Sequence, residues 1–486
     1  MKMMNRVLQI ALVATIFSCQ KVDLSTQTKE VFTKQDSLPE NAIWNAGVNF
    51  SKKIPSVYIS TLGNTIVNEP KVPAQIQIQV GDTLVFKSKI GIEYRGSTSF
   101  RLFDQKSFGF ELRDSLNLST DSAIMDFPKQ SDFILYAPAN DKSLVRNVLI
   151  YDLSNQIGMY ATRTRYVQLY LNGSYIGLYA LMEKIKRDKN RVNITKMGSG
   201  DNTGAALTGG YIIKIDKSAG DNLVEGWDAD AIYTTDISFR SNYDPLGNRL
   251  TGVPYGPKLG SETYFMYEYP KSENLTASQR SYLQTYFNDF EDVLASNNAF
   301  NPTTGYAKYI DVNSFIDFFI LNEFACNPDA YRLSTFMNKE RSGKLKMGPI
   351  WDFNIAFGNH DNPEVYNGNK WMYKYNLINP ADTWLVNFWW NKLMTDPVFK
   401  DKLKARWQQL RSSNLSEANI MNTLNKHIDL LKNNNGIQPH FDRWNLLGVK
   451  LPFNSFVGNT YQEELDYLIS FIQKRLAWMD AEMNKL

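Results

Sequence analysis

The sequence predicts an α+β architecture of two lobes, β-rich first and helical second. Two observations carry that expectation. Short apolar–polar alternations crowd residues 54–217, and apolar positions recur at helical spacing from about residue 270 onward. No internal repeat or low-complexity tract interrupts this order. With 43% hydrophobic and 21% charged residues, the 486-residue chain has the composition of a folded protein with a large core.

"SVYIST", "AQIQIQV" and "TLVFKSKIGIEY" read as strands, the second alternating so cleanly that one face should be wet. A hydroxyl-rich loop, Arg95-Gly96-Ser97-Thr98-Ser99, leads into "KSFGFEL", a strand beginning at Lys106. Leu144, Val145, Val148, Leu149, Leu153 and Ile157 form a helical stripe that stops at Gly158. Two alternating runs flank Asn172-Gly173, a strong hairpin signal, and Glu183 falls at the hairpin's end beside the basic run Lys184 to Arg191. "GGYIIKIDK" reads as a buried strand and residues 218–262 as an irregular insertion. Thr276 and Gln279 have the spacing of a capping box, and Asp311 is placed to cap "DVNSFIDFFILNEFACN". Residues 383–411, 416–434 and 460–485 supply further helices. The expected lobes are therefore 50–217 and about 270–486, with the insertion between them.

The N-terminus reads as an address. "MKMMNR" is basic, "VLQIALVATIF" has the length of a signal-peptide core, and Ser18-Cys19 resembles the lipobox of bacterial lipoproteins. Residues 1–18 are the expected signal peptide, Cys19 the lipidated residue and 19–49 a flexible tether. This implies an exported lipoprotein of the outer membrane or cell surface, touching the membrane only through its lipid. With Cys19 lipidated, Cys326 stands alone in an apolar helix, a core residue without a disulfide partner. A net charge of +3 gives no electrostatic case for nucleic acid. The three histidines, His360, His427 and His440, lack metal-ligand spacing, which argues against a zinc enzyme.

The chemistry centres on two aspartates. "RLSTFMNK" and "KLKMGPIW" can pair across "ERSG", which brings together Asp329 before the hairpin and Asp352 after it. One carboxylate can then orient an attacking hydroxyl while the other holds Mg²⁺ on a phosphate, as in protein kinases. Mg²⁺ needs few protein carboxylates, because water and phosphate oxygens complete its shell. Phosphoryl transfer also needs cations. Lys106, following the hydroxyl-rich loop, and Arg95 within that loop are candidates, with Glu183 holding Lys106 extended.

Taken in order, "IEYRGSTSF", "QKSFGFEL", "LYAPANDKSLVRN", "YVQLYLNGSYIGLYALMEKIKRDKNRVNI", "GGYIIKIDK" and "NPDAYRLSTFMNK…KMGPIWDFNIAFGN" resemble the CotH kinase family between about residues 50 and 410. The resemblance implies an atypical, minimal protein-kinase-like fold that binds ATP and Mg²⁺ and phosphorylates serine on protein substrates. By position it makes Asp329 the catalytic aspartate and Asp352 the metal ligand, with Lys106, Arg95, Glu183 and Arg146 around the nucleotide. It also places Ser334 where the family pattern has a metal-binding Asn, and Asn354 where many relatives carry a second Asp. Both changes weaken the metal site the family implies.

Two other function classes compete with this reading. A non-catalytic surface lipoprotein would bind a glycan or protein partner, for instance through the aromatic run Trp384, Phe388, Trp389, Trp390, although its helical spacing is that of core residues. A hydrolase is disfavoured, since neither a G-x-S-x-G elbow nor a histidine-based triad is present.

Overall fold

The computed structural model describes residues 49–218, 232–256 and 258–486. The expected signal peptide, Cys19 and the tether up to residue 48 lie outside the described residues.

The alternating runs of the first part close on themselves. Strands β1 (Ser56–Ser60), β2 (Val72–Val80), β3 (Thr83–Arg95), β4 (Ser107–Arg113), β7 (Asp132–Tyr136), β8 (Thr164–Leu171) and β9 (Ser174–Glu183) form a barrel in the order β1-β2-β3-β4-β7-β9-β8. β5 (Ser122–Ile124) and β6 (Phe127–Gln130) form a separate ribbon. Neighbouring barrel strands are antiparallel except at the seam, where β1 runs parallel to β8 with Ser56 opposite Gln168. Closure removes the exposed edges that a flat sheet leaves open. Inward side chains such as Ile59, Ile76, Phe86, Ile92, Phe110, Leu169 and Leu181 fill the barrel. One sequence expectation needs adjustment: Gln77 in "AQIQIQV" is buried, so the outer face of β2 is not uniformly wet. The β8–β9 hairpin turns at Asn172 and Gly173 (φ +48° and +86°), the left-handed pair that Asn-Gly favours.

A second, all-antiparallel sheet has the order β11 (Ser238–Arg240), β12 (Tyr264–Tyr269), β10 (Tyr211–Ile215), β13 (Thr335–Lys339), β14 (Leu345–Met347). β13 and β14 are the expected hairpin, with Met337 opposite Met347. β10 does not join the barrel; it pairs with β13 across more than a hundred residues of sequence. That pairing sets the strand's end beside the hairpin that carries the aspartates.

Helices supply the rest of the core. Arg146–Gln156 ends ahead of Gly158 (φ +94°), and Ala277–Ala295 begins with the capping box of Thr276 and Gln279. Val312–Ala325 is capped by Asp311, whose Oδ1 accepts from Ser314 N at 3.1 Å. The expected 383–411 helix is two helices, Phe388–Leu393 and Pro397–Arg411. Asp396 caps the second and Pro397, lacking an N–H, opens it. Glu417–Asn433 and Tyr461–Asn484 complete the set of long helices. Phe388, Trp389 and Trp390 are buried, as their spacing required. Cys326 is also buried, which pushes its thiol up to about 11. Among the described residues no helix is long and apolar enough to cross a membrane.

Candidate active site

A cavity of about 740 Å³ lies where the barrel strands, the second sheet and the helical part meet. Asp329, Asp352, Ser334, Asn354 and Arg95, all selected from sequence, line it.

Asp352 is held from behind by one helix. On Arg146–Gln156, Tyr151 accepts the Asp352 N–H at 3.1 Å and Asn147 Oδ1 accepts the Phe353 N–H at 2.6 Å. The two side chains lie four positions apart and so share a helix face. Trp351 stacks on Tyr151 at 6.1 Å, and Phe353 meets the same ring edge-on. Asp352 itself has φ +62° and Ser334 φ +46°, left-handed backbone that side-chain-bearing residues adopt only when their surroundings demand it. Burial, then the charges of Asp329 and Asp216, push the Asp352 carboxyl up to about 7, with Lys217 and Arg95 opposing.

Asp329 follows the Val312–Ala325 helix, and its N–H donates to Asn327 Oδ1 at 3.2 Å. Its Oδ1 accepts from Arg332 Nη2 at 2.8 Å. Across the cavity, Asp216 follows β10 and accepts the Ser334 N–H at 3.4 Å. Asn354 donates Nδ2 to Asn140 Oδ1 at 3.0 Å. Its own Oδ1 has no protein partner among the described residues.

The cations differ from those expected. Lys106 does not line the cavity: its ammonium donates to the carbonyls of Phe100 (2.5 Å) and Phe103 (2.6 Å) and sits over the Phe100 ring. It caps the C-terminal end of the short Thr98–Leu102 helix, so its role is to pin the hydroxyl-rich loop. Glu183 is fully buried and taken by Arg163, whose Nη2 donates to Oε1 at 2.6 Å, and by Arg191 at 3.4 Å, not by Lys106. Arg146 is equally remote: buried to 1% exposure, it donates Nη1 to Asp141 Oδ1 at 2.5 Å and to Ser143 Oγ at 3.0 Å. These three assignments are corrected. Lys106 and Arg146 are consumed by local anchoring, and Glu183 closes an arginine cluster at the end of β9.

The cations that line the cavity besides Arg95 include Lys184, Lys214 and Lys217. Lys217 donates to Thr98 Oγ1 at 2.6 Å and lies 5.1 Å from the Trp384 ring centre. Lys214 reaches Glu268 at 3.5 Å and Asp216 at 3.7 Å. In the sequence Lys184 is one of a basic run, and Asp216-Lys217 is an Asp-Lys pair ending a strand, a pattern that resembles solvated punctuation. Only the β10–β13 pairing turns it toward the aspartates.

The donor set can be tested against the hard cation that the kinase reading implies. Asp352, the Asn354 carbonyl oxygen and the Ser334 hydroxyl are oxygen ligands of the type Mg²⁺ takes. Among the described residues no group of three or more His, Cys, Asp or Glu is gathered tightly enough to hold a metal. The residues supply oxygen donors of the right kind and do not form a closed protein cage.

A comparison with curated proteins finds no match. The family model described as CotH kinase protein matches residues 92–479, from the last residues of β3 through the remaining barrel strands, the second sheet and the helices into the last one; the chain belongs to that family.

Proposed function

We propose that the protein is a Mg²⁺-dependent phosphotransferase moving the γ-phosphoryl group of ATP to a serine hydroxyl of a protein substrate. The observation that carries this reading is the convergence of Asp329 and Asp352 in one cavity whose wall also presents Arg95, Lys184 and Lys217. In this reading the barrel serves as the small lobe and the helical part as the large lobe of a kinase-like arrangement.

Asp329 receives the acceptor hydroxyl's proton as that oxygen bonds to the γ-phosphorus and ADP leaves with the β–γ bridging oxygen. Asp352 and Asn354, with Ser334 alongside, would hold Mg²⁺. When bound, the ion supplies neutralisation of phosphate charge. Arg95, Lys184 and Lys217 add fixed positive charge against the phosphates, the role first given to Lys106. The raised Asp352 carboxyl suits this division, because a buried acid crowded by two others gains most from a cation.

The test is Mg²⁺-dependent ATP binding by calorimetry and transfer of radiolabel from [γ-³²P]ATP, with Asp352→Ala alongside. Binding lost in the variant supports the reading. A wild-type protein that binds no nucleotide at millimolar ATP overturns it. The alternative of a non-catalytic glycan or protein binder loses most of its aromatic platform, since Phe388, Trp389 and Trp390 are core residues.

We carry the lipoprotein reading forward on its sequence pattern alone: Cys19 lipidated, the protein exported to the outer membrane or cell surface and held there by its lipid. Metabolic labelling with radioactive palmitate should mark the wild type and not Cys19→Ala. Label retained in the variant would remove the anchor.

A further inference from the structure

Asp329 has two oxygens, and the structure treats them differently. Oδ1 accepts from Arg332 Nη2 at 2.8 Å. Oδ2 has no hydrogen-bond partner among the described residues, and the side chain keeps 21% exposure on the cavity wall.

Arg332 is held by several partners and shows only an edge to the cavity. Its Nε donates to the Pro328 carbonyl at 2.7 Å and Nη1 to the Trp384 carbonyl at 3.1 Å. Nη1 also lies 3.2 Å from Asp382 Oδ2, and the guanidinium covers the Tyr375 ring at 4.2 Å. Only 5% of the residue is exposed. A planar fork anchored at two carbonyls, one carboxylate and one ring cannot rotate to follow Asp329, so Asp329 is oriented by it. Asp382 is fixed in turn by the Trp384 N–H at 2.9 Å and Asn379 Nδ2 at 3.2 Å.

We propose that Arg332 is the positioning residue for Asp329, occupying Oδ1 so that Oδ2 is the oxygen presented to the acceptor hydroxyl. This rests on the phosphotransferase reading and adds to it a residue three positions beyond the aspartate. The proton from the attacking oxygen goes to Oδ2, while Arg332, whose edge also lies on the cavity wall, acts through Asp329 and exchanges no proton.

Because the link to Asp329 is a single hydrogen bond, a lysine can replace it in part, whereas glutamine leaves no charge. The full-length chain and its variants would be assayed for phosphate release from Mg-ATP, with water as acceptor, and for ATP affinity by calorimetry. Arg332→Lys should lower kcat by about tenfold and Arg332→Gln by about a hundredfold, both with ATP affinity within about twofold of wild type. In an Asp329→Asn background, Arg332→Lys should cause no further loss, because its effect passes through the carboxylate. Should Arg332→Gln fail to fold, the Arg332→Lys cycle carries the test alone. An equal fractional loss from Arg332→Lys in both backgrounds, or a loss of ATP affinity matching the loss of kcat, overturns the assignment. A wild type that neither binds ATP nor releases phosphate refutes the underlying phosphotransferase reading, a distinguishable result that takes this proposal with it.

Discussion

The two walls of the cavity are built by different means. The carboxylate wall is local: Asp329 and Asp352 are separated by one hairpin, and their approach follows from its pairing. The cation wall is assembled from distant pieces: Arg95 ends β3, Lys184 follows β9, and Lys214 and Lys217 belong to β10 and the turn after it. Charges that flank a single hairpin are brought near each other by one local pairing, and the Arg146–Gln156 helix then fixes Asp352. Charges on separate strands meet only after a barrel and a second sheet have formed. The carboxylate wall should therefore be intolerant of single changes, and the cation wall should share its work among several residues.

The largest expected effect lies on the carboxylate side. Asp329→Ala or Asp352→Ala should reduce phosphoryl transfer by roughly a thousandfold or more, read from radiolabel incorporation, since orientation and metal binding each lack a substitute. A loss below tenfold would erase the contrast between the walls. Next comes pH. Asp352 has its carboxyl pushed up to about 7, so Mg-ATP must displace a proton as the medium becomes more acid, and affinity should fall by about tenfold per pH unit below that point. Calorimetric titrations at pH 5.5, 6.5 and 7.5 would show it, and a flat profile would mean that Asp352 is not a ligand.

On the cation side, Lys217→Met or Lys184→Met should each weaken ATP binding by about tenfold, the worth of one charged hydrogen bond, with the double variant losing more. Full loss from either single change would show that the work is not shared. The same acid also affects stability. A carboxyl raised on folding contributes stability that is complete below its ordinary range and lost as pH rises through about 7. Thermal unfolding should thus show Asp352→Asn to be more stable than wild type in the absence of nucleotide, by a margin that widens from pH 5 to pH 8. The smallest effect is expected from Lys106→Met. Its removal costs about 1 kcal/mol of helix-end stabilisation, seen as a slightly lower Tm, with ATP affinity changed by less than about threefold.

The same contrast explains what could be read from the sequence. Helix starts at Thr276 and Asp311, the turn at Asn172-Gly173 and the β13–β14 hairpin are decided within a few residues, and each stands where spacing put it. Asp329 and Asp352 inherit that locality. The expected Lys106–Glu183 pair rests on the kinase Lys–Glu pattern, which needs two distant strands of the β-rich part to face each other. Each instead found a nearer partner, backbone carbonyls for Lys106 and two arginines for Glu183. Barrel closure through β1 and β8, and the placement of β10 beside β13, depend on long-range pairing that no short pattern encodes. That is why Asp216 and Lys217 escaped notice. Arg332 is illegible for another reason: its value lies in five simultaneous contacts, three of them with residues 375–384.

The last long helix bears on how the protein is made. Arg475 reaches back to Glu323, both without solvent exposure, at 3.2 Å. Glu323 also takes the N–H groups of Met372 and Tyr373 at 2.7 Å each, six residues upstream of Asp329. Removing one partner of such a pair strands a charge in the interior. During synthesis the helix that precedes Asp329 must wait until some 150 further residues have emerged before Glu323 meets its arginine. A chain stalled between residues 453 and 475 would thus hold every cavity-lining residue while the buried acid on the helix before Asp329 still lacked its arginine.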